Sequence, residues 1–135
     1  PSLSPLNISI ALSADKVIIP VNPDKYSKKG LDKTVNELER MSDEYGQEIK
    51  YQLVFTLFDG REALSQKYLI EYGTNYKDRL FSTVIRRSAD VKNAVDAKKS
   101  IFEYTKAPVR EDFDLVARDI LGIRDLGKDK DGVNA

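Results

Sequence analysis

The most hydrophobic stretch of the chain runs from Leu53 to Phe58, where five of six positions are apolar. An unbroken apolar run is typical of a strand that is covered on both faces of a parallel sheet. Asp59-Gly60 follows directly and predicts a turn. Beyond the turn, apolar residues recur at helical spacing: Leu64, Tyr68, Leu69 and Tyr72. The pattern therefore predicts a central strand followed by a helix, a unit whose functional end is the loop after the strand.

Two further segments have the composition of strands. Lys16 to Val21 is rich in β-branched residues and ends among prolines and an asparagine, and Leu80 to Ile85 leads into Arg86-Arg87. Strands that alternate with helices imply right-handed crossovers and a mostly parallel sheet. The predicted fold class is α/β, a three-layer α-β-α arrangement with helices on both faces.

Two segments of the N-terminal half have helical spacing. In residues 3–14 the apolar positions fit a helix, although some of them also alternate as in a strand, and a helix is the favoured interpretation. Leu31 to about Tyr45 carries one apolar stripe among charged residues and predicts an amphipathic helix. The stripe consists of Leu31, Val35, Leu38 and Met41.

The C-terminal third predicts two helices joined by a connector at residues 101–107. Ser88 is a candidate N-cap for the first, with Asp90 in its first turn. Pro108 opens the second and Gly122 ends it. The side chains that we expect to be buried are Val91, Ala94 and Val95 in the first helix and Phe113, Val116, Ala117, Ile120 and Leu121 in the second.

Length and charge limit the function classes. The chain has 135 residues, which we interpret as one domain over residues 1–123 and a flexible polar tail over residues 124–135. Basic and acidic residues both total 22, so affinity for nucleic acid requires a local patch. Because the chain has no cysteine and no histidine, it has no disulfide, no thiolate nucleophile and no zinc site of the usual kind.

Neither a membrane-spanning segment nor a secretion signal is visible in the sequence, so we expect a cytoplasmic protein without a membrane partner. The first residue is Pro1 and not methionine. From this start we expect the chain to be a fragment of a longer protein.

Three segments resemble the partition ATPases of the ParA/MinD type. Pro1-Ser2-Leu3 with Asp15 to Tyr26 and Gly30-Leu31 is similar to the segment after the family's Asp-x-Pro-Pro-Ser motif. Leu53 to Ser65 is similar to the next strand and loop, and Phe81 to Arg87 to the family's Phe-x-Thr-Val-Ile-Pro-Arg strand end. The resemblance covers roughly residues 1–123, with the segments in the family's order and spacing.

The resemblance implies a partial P-loop NTPase fold and a parent protein that hydrolyses ATP with Mg²⁺. Such proteins dimerise with ATP, coat DNA nonspecifically and are stimulated by a centromere-binding, ParB-like partner. A P-loop requires G-x-x-x-x-G-K-[ST], whereas the one Gly-Lys here is Gly127-Lys128, followed by Asp129. The chain then corresponds to the C-terminal half, for which we expect neither ATPase activity nor a bound cofactor.

By the same resemblance, Thr56, Arg86 and Arg87 are candidate adenine-contacting residues, with Arg86 in place of the family's proline. The alternatives are an ordinary strand threonine and a solvated arginine pair. Asp59, Arg61 and Ser65 are expected to be mainly turn and cap residues, with Arg61 the one candidate among them for an interaction role.

Candidate residues for nonspecific DNA binding lie in the C-terminal third, where the alternative is a solvated helix face. They are Lys92, Lys98, Lys99, Lys106, Arg110 and Arg118. The resulting hypothesis is a ParA-like protein of plasmid or chromosome segregation, associated with the nucleoid. The alternative is a stand-alone, non-catalytic module that binds DNA or a partition protein. An uncovered edge of the Lys16 to Val21 strand further predicts self-association.

Overall fold

A parallel pair of strands organises the N-terminal unit of the protein. The computed structural model describes residues 4–123, which divide into two units between Arg87 and Ser88. In the first unit the order is α1 (Pro5–Ser13), β1 (Val17–Val21), α2 (Lys25–Tyr45), β2 (Tyr51–Phe55) and α3 (Ala63–Asn75). β1 pairs with β2 in parallel, from Val17 opposite Tyr51 to Val21 opposite Phe55. The fold class is α/β, as predicted, and is compatible with a partial α-β-α fold of the P-loop NTPase kind.

One hydrophobic core lies on one face of these strands. Alternate strand residues, including Val21, Leu53 and Phe55, pack with apolar side chains of α2 and the tyrosines of α3. The buried stripe of α2 is the predicted one: Leu31, Val35, Leu38 and Met41. Leu53, Val54 and Phe55 are all buried, which confirms that β2 is covered on both faces.

Helix starts in this unit follow from capping. Ser4 accepts a hydrogen bond from the Asn7 backbone, so α1 begins at Pro5 and is a helix as interpreted from the sequence. Asp24 accepts one from Ser27, so α2 begins at Lys25, six residues before the predicted start at Leu31. The apolar stripe did not reveal this first part of α2, because residues 25–30 add no apolar side chain to the stripe.

The prediction of a third strand at Leu80 to Ile85 is wrong, because this segment does not form a regular strand. Leu53 donates to the Arg79 carbonyl at 2.7 Å and accepts from Phe81 at 2.9 Å, as in a parallel ladder. The next bond to β2 comes from Ile85, which donates to the Phe55 carbonyl at 2.8 Å. A regular ladder would place residue 83 there, so two extra residues interrupt the pairing. The segment keeps two isolated parallel bridges, Leu53 to Leu80 and Phe58 to Arg86.

The outer edge of β1 has no strand partner among residues 4–123. Val17 donates to the Lys50 carbonyl and Val21 accepts from Thr56, so odd-numbered residues of β1 bond to β2. Pro20 therefore turns its nitrogen to the outer edge, where the missing N–H breaks no ladder bond. A proline at this position also reduces the edge's capacity to pair with another strand. Self-association through this edge stays a prediction.

The second unit contains three helices within the described residues: α4 (Ala89–Asp96), α5 (Ile101–Tyr104) and α6 (Pro108–Leu121). Ser88 caps α4 by accepting from the Asp90 backbone, and Gly122 ends α6 with φ of 68°, as predicted. The connector expected at residues 101–107 contains α5, which begins with a capping box between Ser100 and Glu103.

The predicted buried faces of α4 and α6 are partly wrong. Ala94 and Val116 are buried, but Val95 is 74% exposed, and Ile120 and Leu121 are also exposed. α6 instead buries Val109, Asp112 and Val116, which recur every three to four residues nearer its start. The apolar spacing gave the helical period correctly but placed the buried face too close to the C-terminus.

The tail predicted for residues 124–135 lies outside the described residues, and the domain boundary at residue 123 stays a prediction. Within the described part of the chain, no helix has the length and apolar character needed to cross a bilayer.

Replacing Leu53 by alanine should destabilise the chain by about 2–5 kcal/mol, because the side chain is fully buried in the centre of β2. Leu64→Ala is the matched control, since Leu64 is 51% exposed on α3. Chemical denaturation monitored by circular dichroism measures both. Equal losses for the two variants would contradict the placement of β2 at the centre of the core.

Candidate functional site

A cavity of about 500 Å³ opens at the carboxyl end of β2. Its lining consists of Phe58, Asp59, Gly60, Arg61, Val84, Arg86 and Arg87. Loops after parallel strands meet at the same end of a sheet, which is why residues from two separate segments come together here. We call this site the arginine cavity.

Backbone pairing fixes the two arginines that follow residue 85. Phe58 donates to the Ile85 carbonyl at 3.1 Å, and Arg87 donates to the Phe58 carbonyl at 2.8 Å. Arg86 stands opposite Phe58 in an isolated bridge, so both arginines start from the rim of the cavity. The structure thus places Arg86 and Arg87 at the strand end inferred from the sequence, beside Phe58.

Leu57 turns the chain between β2 and the cavity. Its φ is 56°, in the left-handed region that residues other than glycine, asparagine and aspartate rarely adopt. The Phe55 carbonyl accepts from the Ile85 N–H, and the Ile85 carbonyl accepts from the Phe58 N–H. In a regular parallel ladder residue 57 would donate this second bond, so the strand contains one extra residue here. The extra residue brings Phe58 back to the sheet. No residue type in the sequence indicated this turn, because leucine has no preference for it.

The loop after Phe58 is held by hydrogen bonds of Asp59 and Ser65. Asp59 accepts from the Arg61 backbone at 3.0 Å, and the fully buried Ser65 hydroxyl accepts from the Asp59 backbone at 3.2 Å. The Ser65 hydroxyl also donates to Glu62 at 3.4 Å. These contacts confirm the expected turn role of Asp59, Arg61 and Ser65. None of the three caps α3, whose N-cap residue is Glu62 without a side-chain cap bond.

Each of the two acidic residues of this loop forms an ion pair with an arginine of the cavity. Asp59 takes the Arg61 guanidinium through two oxygens, with Nε to Oδ1 at 3.0 Å and Nη2 to Oδ2 at 2.9 Å. Glu62 accepts from Arg87 at 3.2 Å. Hydrogen bonds from the side chain and backbone of Arg61 lower the pKa of Asp59 to about 2. The Asp59 carboxylate is therefore charged at any physiological pH.

Thr56 does not line the arginine cavity. Its hydroxyl donates to Asn22 Oδ1 at 2.6 Å and lies 3.2 Å from the Val21 carbonyl oxygen. The side chain thus joins the ends of β1 and β2, and the structure does not bring Thr56 together with Arg86 and Arg87.

The candidate DNA-contacting residues are all exposed in the second unit. Arg118 pairs with Asp114 at 2.8 Å, and the Arg110 guanidinium lies 5.7 Å from the centre of the Phe102 ring. Within residues 4–123, no carboxylate lies in ion-pair range of the four lysines, which are Lys92, Lys98, Lys99 and Lys106. Residues 88–123 contain six basic and seven acidic side chains, so any attraction to DNA depends on local grouping.

Replacing Arg61 by alanine should raise the pKa of Asp59 from about 2 towards its ordinary value of 3.8, because the main hydrogen-bond partner is lost. The lowered pKa contributes stability that is present above pH 4 and is lost as the pH falls towards 2. Arg61→Ala should therefore lose less stability than the wild type over that range. NMR titration of the Asp59 carboxyl carbon measures the pKa, and Arg87→Ala, which removes the weakest of the contributions, should change it less. An unchanged pKa in Arg61→Ala would refute the ion pair.

Comparisons with known proteins give one consistent group of relatives. No family model matches the chain. The chain is 26% identical over 105 residues to the chromosome partitioning protein ParA of Caulobacter vibrioides, which covers 77% of the chain and 39% of that protein. It is 27% identical to the chromosome-partitioning ATPase Soj of Thermus thermophilus, over 77% of the chain and 42% of the relative. To the virulence plasmid ParA family protein pGP5-D of Chlamydia trachomatis it is 26% identical, over 97% of the chain and 50% of the relative.

The chain thus spans about two fifths to one half of the length of these curated relatives. The match includes proteins named ParA and Soj from several organisms, which confirms the resemblance inferred from the three sequence segments. Over 77% of its length, the chain is similar to proteins named ParA and Soj, among them chromosome-partitioning proteins.

Proposed function

We propose that this chain acts in DNA partition, as part of a ParA-like ATPase to which it contributes one side of the adenine pocket and a nonspecific DNA-contacting surface. The observation that carries this proposal is the similarity to ParA and Soj proteins over 77% of the chain. The arginine cavity at the carboxyl end of β2 supports it, because ligands of open α/β sheets bind at that end of the strands.

The residues of the arginine cavity suit a nucleobase with a nearby negative charge. Phe58 offers a flat ring and Val84 an apolar side chain for a base, and Arg86 and Arg87 offer guanidinium groups that stack on rings or bind phosphate. Thr56 has a structural contact instead, because its hydroxyl donates to Asn22 and joins the ends of β1 and β2.

The same residues do not suit the triphosphate of ATP or its Mg²⁺. The sequence has no G-x-x-x-x-G-K-[ST] motif, whose backbone amides and lysine hold the phosphates. Among residues 4–123, no group of three or more acidic, histidine or cysteine side chains could hold a metal ion. ATP bound with its magnesium would supply the phosphoryl-transfer chemistry, and this chain would orient the base.

The DNA-contacting surface is proposed from the exposed lysines of the second unit. Lys98 and Lys99 are adjacent in the loop between α4 and α5, and both are exposed. Lysines that are not neutralised by carboxylates are the groups that can release counterions from DNA phosphates. DNA, a centromere-binding partner and the nucleoid as location all belong to this proposal.

A stand-alone module that binds DNA or a partition protein without nucleotide is the second candidate. The exposed Lys98 and Lys99 support DNA binding by such a module as well. Nucleotide binding distinguishes the two candidates.

Isothermal titration of the chain with magnesium ATP at the 100 μM scale should show no binding, and no phosphate release should follow, because the phosphate-binding motif is missing. A micromolar isotherm would contradict the expectation. Adenosine at millimolar concentration is the complementary probe. Under the leading proposal it should shift the NMR signals of Gly60 and Val84, whereas the module without a nucleotide site predicts no shift.

The chain should bind duplex DNA weakly and without sequence preference, with a dissociation constant on the order of 100 μM at physiological salt. Lys98→Glu with Lys99→Glu should weaken binding equally for unrelated sequences and reduce the salt slope by about 2, since each phosphate contact contributes about one unit. Fluorescence anisotropy over a salt series measures both quantities. The matched control is Lys25→Glu with Lys29→Glu, which makes the same charge change at exposed positions of α2. Equal losses of DNA affinity in both double variants would show that binding depends on net charge alone. No loss of affinity in either variant would show that Lys98 and Lys99 do not contact DNA.

A further inference from the structure

Two carboxylates of the loop between β2 and α3 form ion pairs with arginines of the arginine cavity. Asp59 holds Arg61, and Glu62 holds Arg87. Both acids come from the same four-residue stretch, and both arginines line the cavity. Two of the guanidinium groups that line the cavity are therefore held by carboxylates.

The loop fixes the carboxylate of the first pair, while the arginine is the mobile partner. The Asp59 side chain is 14% exposed, whereas the Arg61 side chain is 91% exposed. Backbone bonds from Arg61 to Asp59 and from Asp59 to the buried Ser65 hold the acid in place. Arg61 can therefore leave the carboxylate without disturbing the fold, since little else contacts it.

The second pair is more open on both sides. The Arg87 side chain is 51% exposed and that of Glu62 is 43% exposed. Glu62 is anchored through the Ser65 hydroxyl at 3.4 Å, and its residue precedes the first turn of α3. Because Ser65 contacts the backbone of Asp59 and the carboxylate of Glu62, one buried hydroxyl positions both acids.

A carboxylate and a phosphate compete for the same edge of a guanidinium, because both accept two parallel N–H groups. The low pKa of Asp59 keeps this competitor charged throughout the physiological range. Any phosphate that binds in the cavity must displace a carboxylate or share its arginine with it.

We propose that Asp59 and Glu62 form an acid latch, an internal competitor that lowers the affinity of the arginine cavity for phosphate esters. This inference rests on the proposed function, because it assigns a regulation to the same cavity. The phosphate ester is a nucleotide or the backbone of DNA, which share the chemistry that the arginines recognise. Neutralising the two acids releases Arg61 and Arg87 and opens the cavity to the ligand.

The test replaces both acids in the full chain by their amides, Asp59→Asn with Glu62→Gln. The amides keep the side-chain oxygens that accept from the Arg61 backbone and from Ser65, so the loop should keep its shape. NMR titration of the ¹⁵N-labelled chain with ATP, and separately with a 20-base-pair duplex, reports the affinity at Gly60, Arg61 and Val84. We expect roughly three- to tenfold tighter binding of at least one probe, the effect of removing one or two competing exposed ion pairs.

The matched control is Glu37→Gln with Glu44→Gln. These two acids hold Arg40 on α2 at 2.8 and 3.0 Å, so the control makes the same charge change and also releases an arginine. It should leave the affinity at the cavity unchanged. A second set adds Arg61→Ala and Arg87→Ala to the amide variant and should lose the gain, because these are the two arginines that the acids hold.

Each outcome decides between the latch and its alternatives. Unchanged affinity for both probes in the folded amide variant overturns the latch, and so does an equal gain in the Glu37 and Glu44 control, which would indicate bulk charge. A gain confined to ATP identifies a nucleotide as the ligand, and a gain confined to the duplex identifies DNA.

The latch and the proposed function can fail separately. If Arg86→Ala with Arg87→Ala weakens the millimolar binding of adenosine but the amide variant gains nothing, the latch fails and the adenine pocket stands. If the amide variant gains for DNA alone while the two arginines have no effect on adenosine binding, the latch stands and the adenine pocket fails.

Discussion

Hydrogen bonds on both edges of β2 are the constraint on which the first unit depends. One edge carries the parallel ladder with β1, and the other receives bonds from Phe81 and Ile85. Because all three segments run in the same direction, the loops that follow them open at one end of the sheet. This geometry alone places the loop after Phe58 beside Arg86 and Arg87, although 25 or more residues separate them in the sequence. The cavity is a consequence of strand direction and not of any local motif.

The parts of the fold that followed from the sequence are those with a strong local signal. The stripe of α2, the apolar run of β2, the Ser88 cap and the Gly122 end each depend on a few neighbouring residues. The third strand did not follow, because its residues have strand composition while the register fails by two residues between Phe81 and Ile85. Register depends on the partner strand, and no pattern within residues 80–85 reports it.

The candidate site was predictable to a similar degree. Arg86 and Arg87 could be placed because a strand end faces the ligand-binding edge in this kind of sheet. The hydroxyl of Thr56, in contrast, is directed by Asn22 on a neighbouring loop, which the sequence alone cannot show. The pairing of Asp59 with Arg61 was also not predicted, since the sequence alone does not show how the two side chains of a turn are directed.

Local charge pairing explains how a chain with zero formal charge can have specific electrostatic surfaces. In the first unit, arginines of the cavity are matched by acids two residues away or across the loop. In the second unit, Arg118 is matched by Asp114, while Lys98 and Lys99 have no carboxylate within ion-pair distance among the described residues. Exposed ion pairs contribute little to stability, typically below about 1 kcal/mol, so their main effect here is on the potential that a ligand meets. Equal totals of acids and bases therefore leave two distinct surfaces: a cavity in which Arg61 and Arg87 are paired with carboxylates, and a loop whose lysines are not.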